Sequence, residues 1–404
     1  MTIRPYKFQE EGISFHLENP YSINGCEMGL GKTLMGIVSA NRAGAKHILV
    51  VCPAFLVPNW HEEIVKFSDG SAEFRVVSYS SIKKIEKEFS KYDTVICDEA
   101  HYLKNIRSLR TQAIHKLVKA HRPKRLYLLT GTPVKNSVPE FYSILKLCHY
   151  GGKYPEFDII GNSYHRFSQM FSHREQTPWG IKYSGMKNLQ RLKSMVKPVY
   201  LRRRAHEVLD LPEEITREVV CSEKDKTDQL LTTAWDAYLG NKKSKSFAAG
   251  KAISALAKVQ YTVEFVEENL EQMEKVVVFT DHVQAAEKLH KELGGHLITG
   301  GVPPAKRSTY VDDINEGRVQ VLVATIGALS VGVNITGVNH MVFNDLTWVP
   351  ADISQVRKRI HRIGQKKTCF YYYILASQVD KAIVKTLEKK RKILEAMEDE
   401  SVTG

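Results

Sequence analysis

"GCEMGLGKT", residues 25–33, is the stretch whose reading decides the fold. It closes as a phosphate-binding loop closes, on Gly31-Lys32-Thr33. The strict pattern G-x-x-x-x-G-K-[ST] wants glycine at position 26. This chain has Cys26 there, and Gly25 sits one place early. A P-loop needs backbone N–H groups around phosphate oxygens, a lysine for the β- and γ-phosphates, and a hydroxyl for a magnesium ion. Gly29 and Gly31 permit the close backbone approach, Lys32 supplies the charge and Thr33 the hydroxyl. A helix opening here points its N-terminus at the phosphates. A glycine turn with no nucleotide accounts for the same residues, so the rest of the chain has to decide.

Outward from the loop, seven short apolar runs read as strands buried on both faces: "HILVVCP" (47–53), "TVICDEA" (94–100), "RLYLLTGT" (125–132), "KVVVFTD" (275–281), "VQVLVAT" (319–325), "HMVFND" (340–345) and "FYYYIL" (370–375). Helix-period segments alternate with them, such as 31–40 and 283–293. That alternation predicts an α/β protein with parallel sheets flanked by helices. The strands fall into two groups, one ending near Thr132 and one starting near Val276. The stretch between them is mostly helical in pattern. "YLRRRAHEVLDLPEEI" (200–215) reads as a connector, because Leu211-Pro212 stops regular structure. The boundary falls within it, giving lobes of residues 1–205 and 206–404. "LGNKKSKS" (239–246) reads as an exposed loop.

Composition bounds the function. The chain has 404 residues, 43% hydrophobic and 25% charged, which suits a soluble globular protein of two domains. No apolar run approaches a membrane span, and the N-terminus lacks the apolar core of a secretory signal. Six cysteines lie far apart with no C-x-x-C pair, which argues against zinc or a disulfide framework and for a reducing compartment. Lys plus Arg is 58 against 45 for Asp plus Glu, a net charge of +13. Such an excess suits a polyanionic partner, and solubility charge alone is the other reading.

Two further segments carry chemistry. "VICDEAH" (95–101) closes an apolar strand. A carboxylate there can hold magnesium and a second can orient the attacking water, roles that suit Asp98 and Glu99. A strand-capping acidic pair is the plainer reading of these residues alone. "QVRKRIHRIGQ" (355–365) sets Arg359 and Arg362 three apart, on one face if the segment is helical. Two arginines so placed can act on a γ-phosphate as arginine fingers do, whereas a solvated basic helix has the same look.

In order, these segments resemble the motifs of superfamily-two helicases, specifically the SWI/SNF-like family of DNA translocases, from about Phe8 to Lys390. "FQEEG" (8–12) is similar to the adenine-reading glutamine motif, with Gln9 as reader. "CEMGLGKT" resembles motif I, D-E-M-G-L-G-K-T, in which the first glycine of the strict pattern is not used; Cys26 stands where aspartate is usual. "LVVCPAFLVPNW" (49–60), "VVSYSSI" (76–82), "DEAHYLKN" (98–105) and "LTGTPVKN" (129–136) resemble motifs Ia, Ib, II and III. The connector resembles the family's, with Ala205 where lysine is usual. "VVVFTDH" (276–282), "ATIGALSVGVNIT" (324–336), "NDLTWVP" (344–350) and "QVRKRIHRIGQ" resemble motifs IV, V, Va and VI.

The resemblance implies two tandem RecA-like lobes with helical insertions between them, and an ATPase that uses ATP and Mg2+. It implies a nucleotide set of Gln9, Cys26, Glu27, Met28, Gly29, Leu30, Gly31, Lys32, Thr33, Gly332 and Asn334. Thr33 and Asp98 hold the metal, and Lys32, Asp98, Glu99, Arg359 and Arg362 serve hydrolysis. Pro53, Tyr79, Lys104, Thr132, Thr280 and Thr325 are the candidate DNA contacts. Trp60 and Trp348 are read as core residues in preference to nucleotide contacts. The implied partner is duplex DNA, bound with little regard to sequence by a monomer with no membrane attachment, sent to its target by a protein that the sequence does not name. The chain reads as a motor without appended reader domains, of a bacterial or viral kind, working in a bacterial or virus-infected cytoplasm or, if eukaryotic, a nucleus. A strand-separating DNA or RNA helicase is the rival within the class. A catalytically idle scaffold switched by ATP is the rival outside it.

Overall fold

The computed structural model describes residues 4–134, 137–152, 156–159, 163–177, 180–220, 244–329, 334–376 and 380–388. These form two compact units. One runs to Val208, and the other begins at Leu209 and takes in the later described residues. Among the described residues, no helix is long and apolar enough to cross a membrane.

The first unit is built on a six-stranded sheet of β1 (Tyr21–Asn24), β2 (His47–Cys52), β3 (Glu73–Ser78), β4 (Thr94–Asp98), β5 (Arg125–Leu129) and β8 (Tyr200–Leu201). Their order across the sheet is β3-β2-β4-β5-β1-β8, and every pairing is parallel. Helices α1 (Lys7–Glu18), α2 (Lys32–Arg42), α3 (Val57–Phe67) and α4 (Leu109–His121) cover it. A parallel strand needs a crossover, so both faces are buried and the strands need no polar alternation. Leu49, Val51, Val95, Cys97, Leu126 and Leu128 point into the main core. Their neighbours Ile48, Val50, Ile96, Tyr127 and Leu129 are equally buried. Each such aliphatic or aromatic side chain contributes about 1.5–3 kcal/mol of burial. The N-terminal turn of α2 follows directly from the loop after β1.

The second unit repeats the plan. Its strands are β9 (Glu214–Val220), β10 (Val276–Thr280), β11 (His296–Ile298), β12 (Val321–Thr325), β13 (His340–Phe343) and β14 (Cys369–Leu375). The order is β11-β12-β10-β13-β14-β9, again wholly parallel. Val277, Phe279, Leu322 and Phe343 lie in one core cluster, and Val276, Val278, Val323 and Val342 lie in the other. "VVVF" thus fills both faces of one sheet.

The stretch read as mostly helical does contain helices, at Phe141–His149, Tyr164–Phe171, Leu189–Val196, Ser244–Ala257 and Val259–Met273. It also holds an antiparallel hairpin, β6 (His173–Thr177) with β7 (Gly180–Ser184), which is largely exposed and polar and so leaves no apolar alternation to read. Strands β8 and β9 lie there too. The loop read at 239–246 falls mainly outside the described residues, and its last three residues open the helix Ser244–Ala257.

Candidate nucleotide site and its surroundings

The loop Gly25–Gly31 leaves the carboxyl end of β1, the edge at which open α/β sheets bind ligands. Gly29 and Gly31 have φ of 84° and 79°, the left-handed conformation that a side chain penalises. Gly31 also lies against Gln9: a Cβ there would stand 2.5 Å from Gln9 Nε2. Gln9 is buried on α1, accepts from the Tyr6 amide at 2.9 Å and donates to the Leu30 carbonyl at 3.2 Å. The glutamine singled out in the sequence is therefore packed onto the loop itself.

Lys32 Nζ donates to the carbonyls of Cys26 at 2.9 Å and Glu27 at 3.2 Å. Burial lowers the Lys32 pKa, and the nearby Glu99 carboxylate opposes that shift. Thr33 is half-buried in the first turn of α2. Met28 lies beside Gly131, where a Cβ would come 2.7 Å from Met28 Cγ. Cys26 is fully buried and its thiol is pushed up by burial, so the side chain faces the interior. Gly25, one place early for the strict motif, has a packing reason: a Cβ there would stand 2.2 Å from Tyr200 Cε2.

The Tyr200 contact belongs to a wider arrangement that the sequence reading missed. The connector runs along the loop. Gly25 N donates to Leu201 O at 2.8 Å, Glu27 N donates to Arg203 O at 2.9 Å, and Ala205 N donates to Glu27 Oε2 at 2.6 Å. Arg202 is buried, donates to the Gly25 carbonyl, and reaches the Gly131 carbonyl at 3.1 Å. "LRRRA" thus builds the far wall of the loop. The run of three arginines was the signal, and only the pairing of β8 with β1 tells which of them turns inward.

Asp98 and Glu99 leave the carboxyl end of β4, on the same edge of the sheet. Asp98 Oδ1 accepts from Glu99 N at 2.8 Å and Oδ2 accepts from the Trp60 indole N–H at 2.8 Å. Tyr79 OH donates to the Asp98 carbonyl at 2.8 Å. Burial first, and then the Glu99 carboxylate, raise the Asp98 pKa to about 6. Glu99 has φ of 49°, uncommon for a residue with a side chain and found at strained functional turns. His101 Nδ1 lies 3.1 Å from Glu99 Oε2 and 3.2 Å from Thr130 Oγ1. The first unit therefore gathers Gln9, the loop, Lys32, Asp98 and Glu99 on one sheet edge. Two glycines that open the loop backbone, an ammonium group close to two carboxylates, and a helix N-terminus behind them fit a magnesium-bound triphosphate.

In the second unit, Arg362 donates to Asn334 Oδ1, and the Arg359 carbonyl accepts from Ile335 N at 2.9 Å. Asn334, Arg359 and Arg362 are thus brought together, while Gly332 lies outside the described residues. The two arginines do not share a helical face. The helix ends at Arg357, and residues 358–364 form tight turns. Those turns end at Gly364, with φ of 103°, and buried Gln365 follows. The Gln365 amide donates to the carbonyls of Val338 at 2.9 Å and Ile360 at 3.3 Å, fastening the turn to the core. The start of this unit is clamped to the same segment: His361 Nε2 donates to Pro212 O at 2.7 Å, and Arg357 lies 3.3 Å from Glu214 while stacking on Tyr371.

The side chains read as DNA contacts mostly face inward. Pro53, Tyr79, Thr280 and Thr325 are buried, so a contact there would have to use backbone atoms. Tyr79 is taken up by Asp98, and Thr280 Oγ1 donates to Asp345. Thr132 is half-buried, and Lys104 pairs with Glu140 at 3.1 Å. Trp60 is fully buried and Trp348 packs partly buried against the second core. Cys26, Cys52, Cys97, Cys148 and Cys369 are unpaired and buried, and no group of metal-binding side chains occurs among the described residues.

Known families and proteins resemble this chain. A model of the SNF2-related domain matches residues 8–91 and 73–275, and one of the helicase conserved C-terminal domain matches 257–364. A SWI/SNF-related matrix-associated actin-dependent regulator of chromatin subfamily A-like protein 1 from Xenopus tropicalis is 27% identical over 96% of this chain and 44% of its own length. An uncharacterized ATP-dependent helicase YqhH from Bacillus subtilis is 26% identical over 93% of this chain and 76% of its own. The chain spans less than half the length of the vertebrate relatives it matches. A solved Sulfolobus solfataricus SWI2/SNF2 ATPase core in complex with dsDNA is 22% identical, with a TM-score of 0.45, over 99% of this chain and 94% of that one. With the SNF2-related model matching well over half of its residues, and two parallel-sheet lobes of RecA-like kind, the chain belongs to the SNF2 family of superfamily-two helicases, a family of ATPases.

Proposed function

We propose that this chain is a DNA-dependent ATPase that moves along duplex DNA and thereby remodels it or displaces what is bound to it. The observation that carries the reading is the shared edge of the first sheet. The Lys32 ammonium group there lies within the field of both Glu99 and Asp98, at the mouth of a loop shaped by two left-handed glycines. On this reading Lys32 and Thr33 take the phosphates and the metal, Asp98 holds the metal, and Glu99 orients water. Arg359 and Arg362, fixed by Ile335 and Asn334, steady the charge that develops on the γ-phosphate. The bound triphosphate would supply the phosphoanhydride and the metal its charge neutralisation. The net charge of +13 supports a phosphate-tracking partner. The helicase name of the Bacillus subtilis relative belongs to that protein, and it suits an ATP-driven motor on nucleic acid.

The test is steady-state ATP hydrolysis with and without duplex DNA, in the wild type and in Lys32→Ala. Stimulation by duplex in the wild type and loss of turnover in a folded Lys32→Ala protein are expected. Undiminished hydrolysis in that variant would remove the site assignment. Stimulation by RNA and not by DNA would change the substrate class.

A further inference from the structure

We propose that Trp60 is a positioning residue for the metal-holding carboxylate, acting through the hydrogen bond from its indole N–H to Asp98 Oδ2. The proposal rests on the Mg2+–ATP reading above and adds a residue to it. Trp60 lies on α3, outside the P-loop and the acidic turn, and none of its surface is exposed. A buried tryptophan contributes its area whether or not its N–H is used, so packing alone explains its burial. Packing does not explain where the N–H points. The indole nitrogen is a donor only, and it lies 2.8 Å from Asp98 Oδ2.

The remainder of Asp98 is fixed as tightly. Oδ1 accepts from Glu99 N, and the backbone carbonyl accepts from Tyr79 OH, both at 2.8 Å. Tyr79 follows β3, Trp60 follows β2, and Asp98 ends β4. β2 lies between β3 and β4, so side chains flanking one sheet edge converge on one residue, Tyr79 on its backbone carbonyl and Trp60 on its carboxylate. Of these bonds, the Trp60 bond is the side-chain contact to the oxygen that the acidic turn leaves unfastened. It sets the carboxylate plane. Without it that oxygen is buried beside an apolar ring and the carboxylate is held through Oδ1 alone, by the Glu99 amide.

Partners that orient a metal-binding side chain are commonly worth 10- to 100-fold in metal affinity. Trp60→Phe keeps an aromatic ring and removes the donor. The experiment is calorimetric binding of a non-hydrolysable ATP analogue with and without Mg2+, on the full chain, with thermal unfolding as the control for folding. In Trp60→Phe the gain in affinity conferred by Mg2+ should fall by about tenfold or more. Binding without Mg2+, which relies on Lys32 and the loop, should match the wild type. An equal Mg2+ gain in both proteins would overturn the proposal, as would an equal loss with and without the metal, which a general packing defect would produce. If Trp60→Phe does not fold, benzothienylalanine at position 60 keeps the shape and lacks the N–H, and the same outcomes apply. A wild type that binds the analogue no better with Mg2+ would fail at the earlier step and remove the Mg2+–ATP reading itself.

Discussion

The guanidinium of Arg202 donates to the backbone carbonyl of Gly25, joining the chain that leaves the first unit to the loop that opens its nucleotide site. The same group reaches Gly131, at the end of the neighbouring strand β5, at 3.1 Å. Both bonds come from one nitrogen, Nη1, which lies one bond beyond the reach of a lysine ammonium group. Arg202→Lys should therefore lower stability by ~1–3 kcal/mol, the cost of a buried acceptor left unpaired. It should also weaken ATP binding, because the loop loses its outer wall. Denaturant unfolding and ATP titration check the two effects, and a variant unchanged in both would show that the bridge does not hold the loop.

Gly25 and Cys26 give a test of why the strict P-loop pattern is broken. At Gly25 an added Cβ meets Tyr200, so Gly25→Ala should cost about 1–3 kcal/mol through overpacking. Cys26→Gly would complete the strict pattern. Because the Cys26 side chain faces the interior, that change should lower stability and bring no gain in ATP affinity. A rise in affinity would mean that the thiol stands in the nucleotide's place.

Stability should fall on mild acidification because of buried neutral histidines. Burial, with Arg125 adding to it, lowers the His16 pKa to about 3, and burial lowers that of His115 to about 4. His16 Nδ1 lies 2.8 Å from Ser22 Oγ and its Nε2 lies 3.2 Å from Asn24 Nδ2, a pairing that suits the neutral ring. In the unfolded chain both rings take up a proton near pH 6.5, whereas the folded chain resists doing so. Their contribution is fully present above about pH 6.5 and is lost as pH falls toward the folded pKa values. Within that window His16 alone should give a slope of ~1.4 kcal/mol per pH unit. His16→Gln should flatten the profile of unfolding free energy against pH, and an identical profile in the variant would contradict the account.

The seven short apolar runs all became strands, because a strand buried on both faces leaves a continuous signature. β1 has a serine and an asparagine among its four residues, and β3 starts on glutamate and alternates in exposure, so neither shows such a run. β9 is an edge strand of which only the first two residues fall in the connector reading, and only its pairing with β14 makes it a strand. Lys32, Asp98 and Glu99 were legible because each sits in a short motif at a strand end. The inward turn of Arg202 and the Trp60–Asp98 bond were not, because no spacing rule relates residue 60 to 98 or 202 to 25. Those contacts come from the strand order. The arginines of 355–365 were misplaced on a helix because the spacing suits one, and the buried amide of Gln365 that fastens the turns after Arg357 has no local signature.

The measurement that tests the central claim most directly is displacement of a triplex-forming third strand from duplex DNA, run beside unwinding of a tailed duplex on one preparation. A groove that follows phosphates makes binding salt-sensitive and nearly independent of sequence. A motor on that groove should release the third strand with ATP, lose this in Lys32→Ala, and leave the plain duplex intact. Robust separation of the tailed duplex, with no release of the third strand, would contradict duplex translocation and identify a strand-separating helicase.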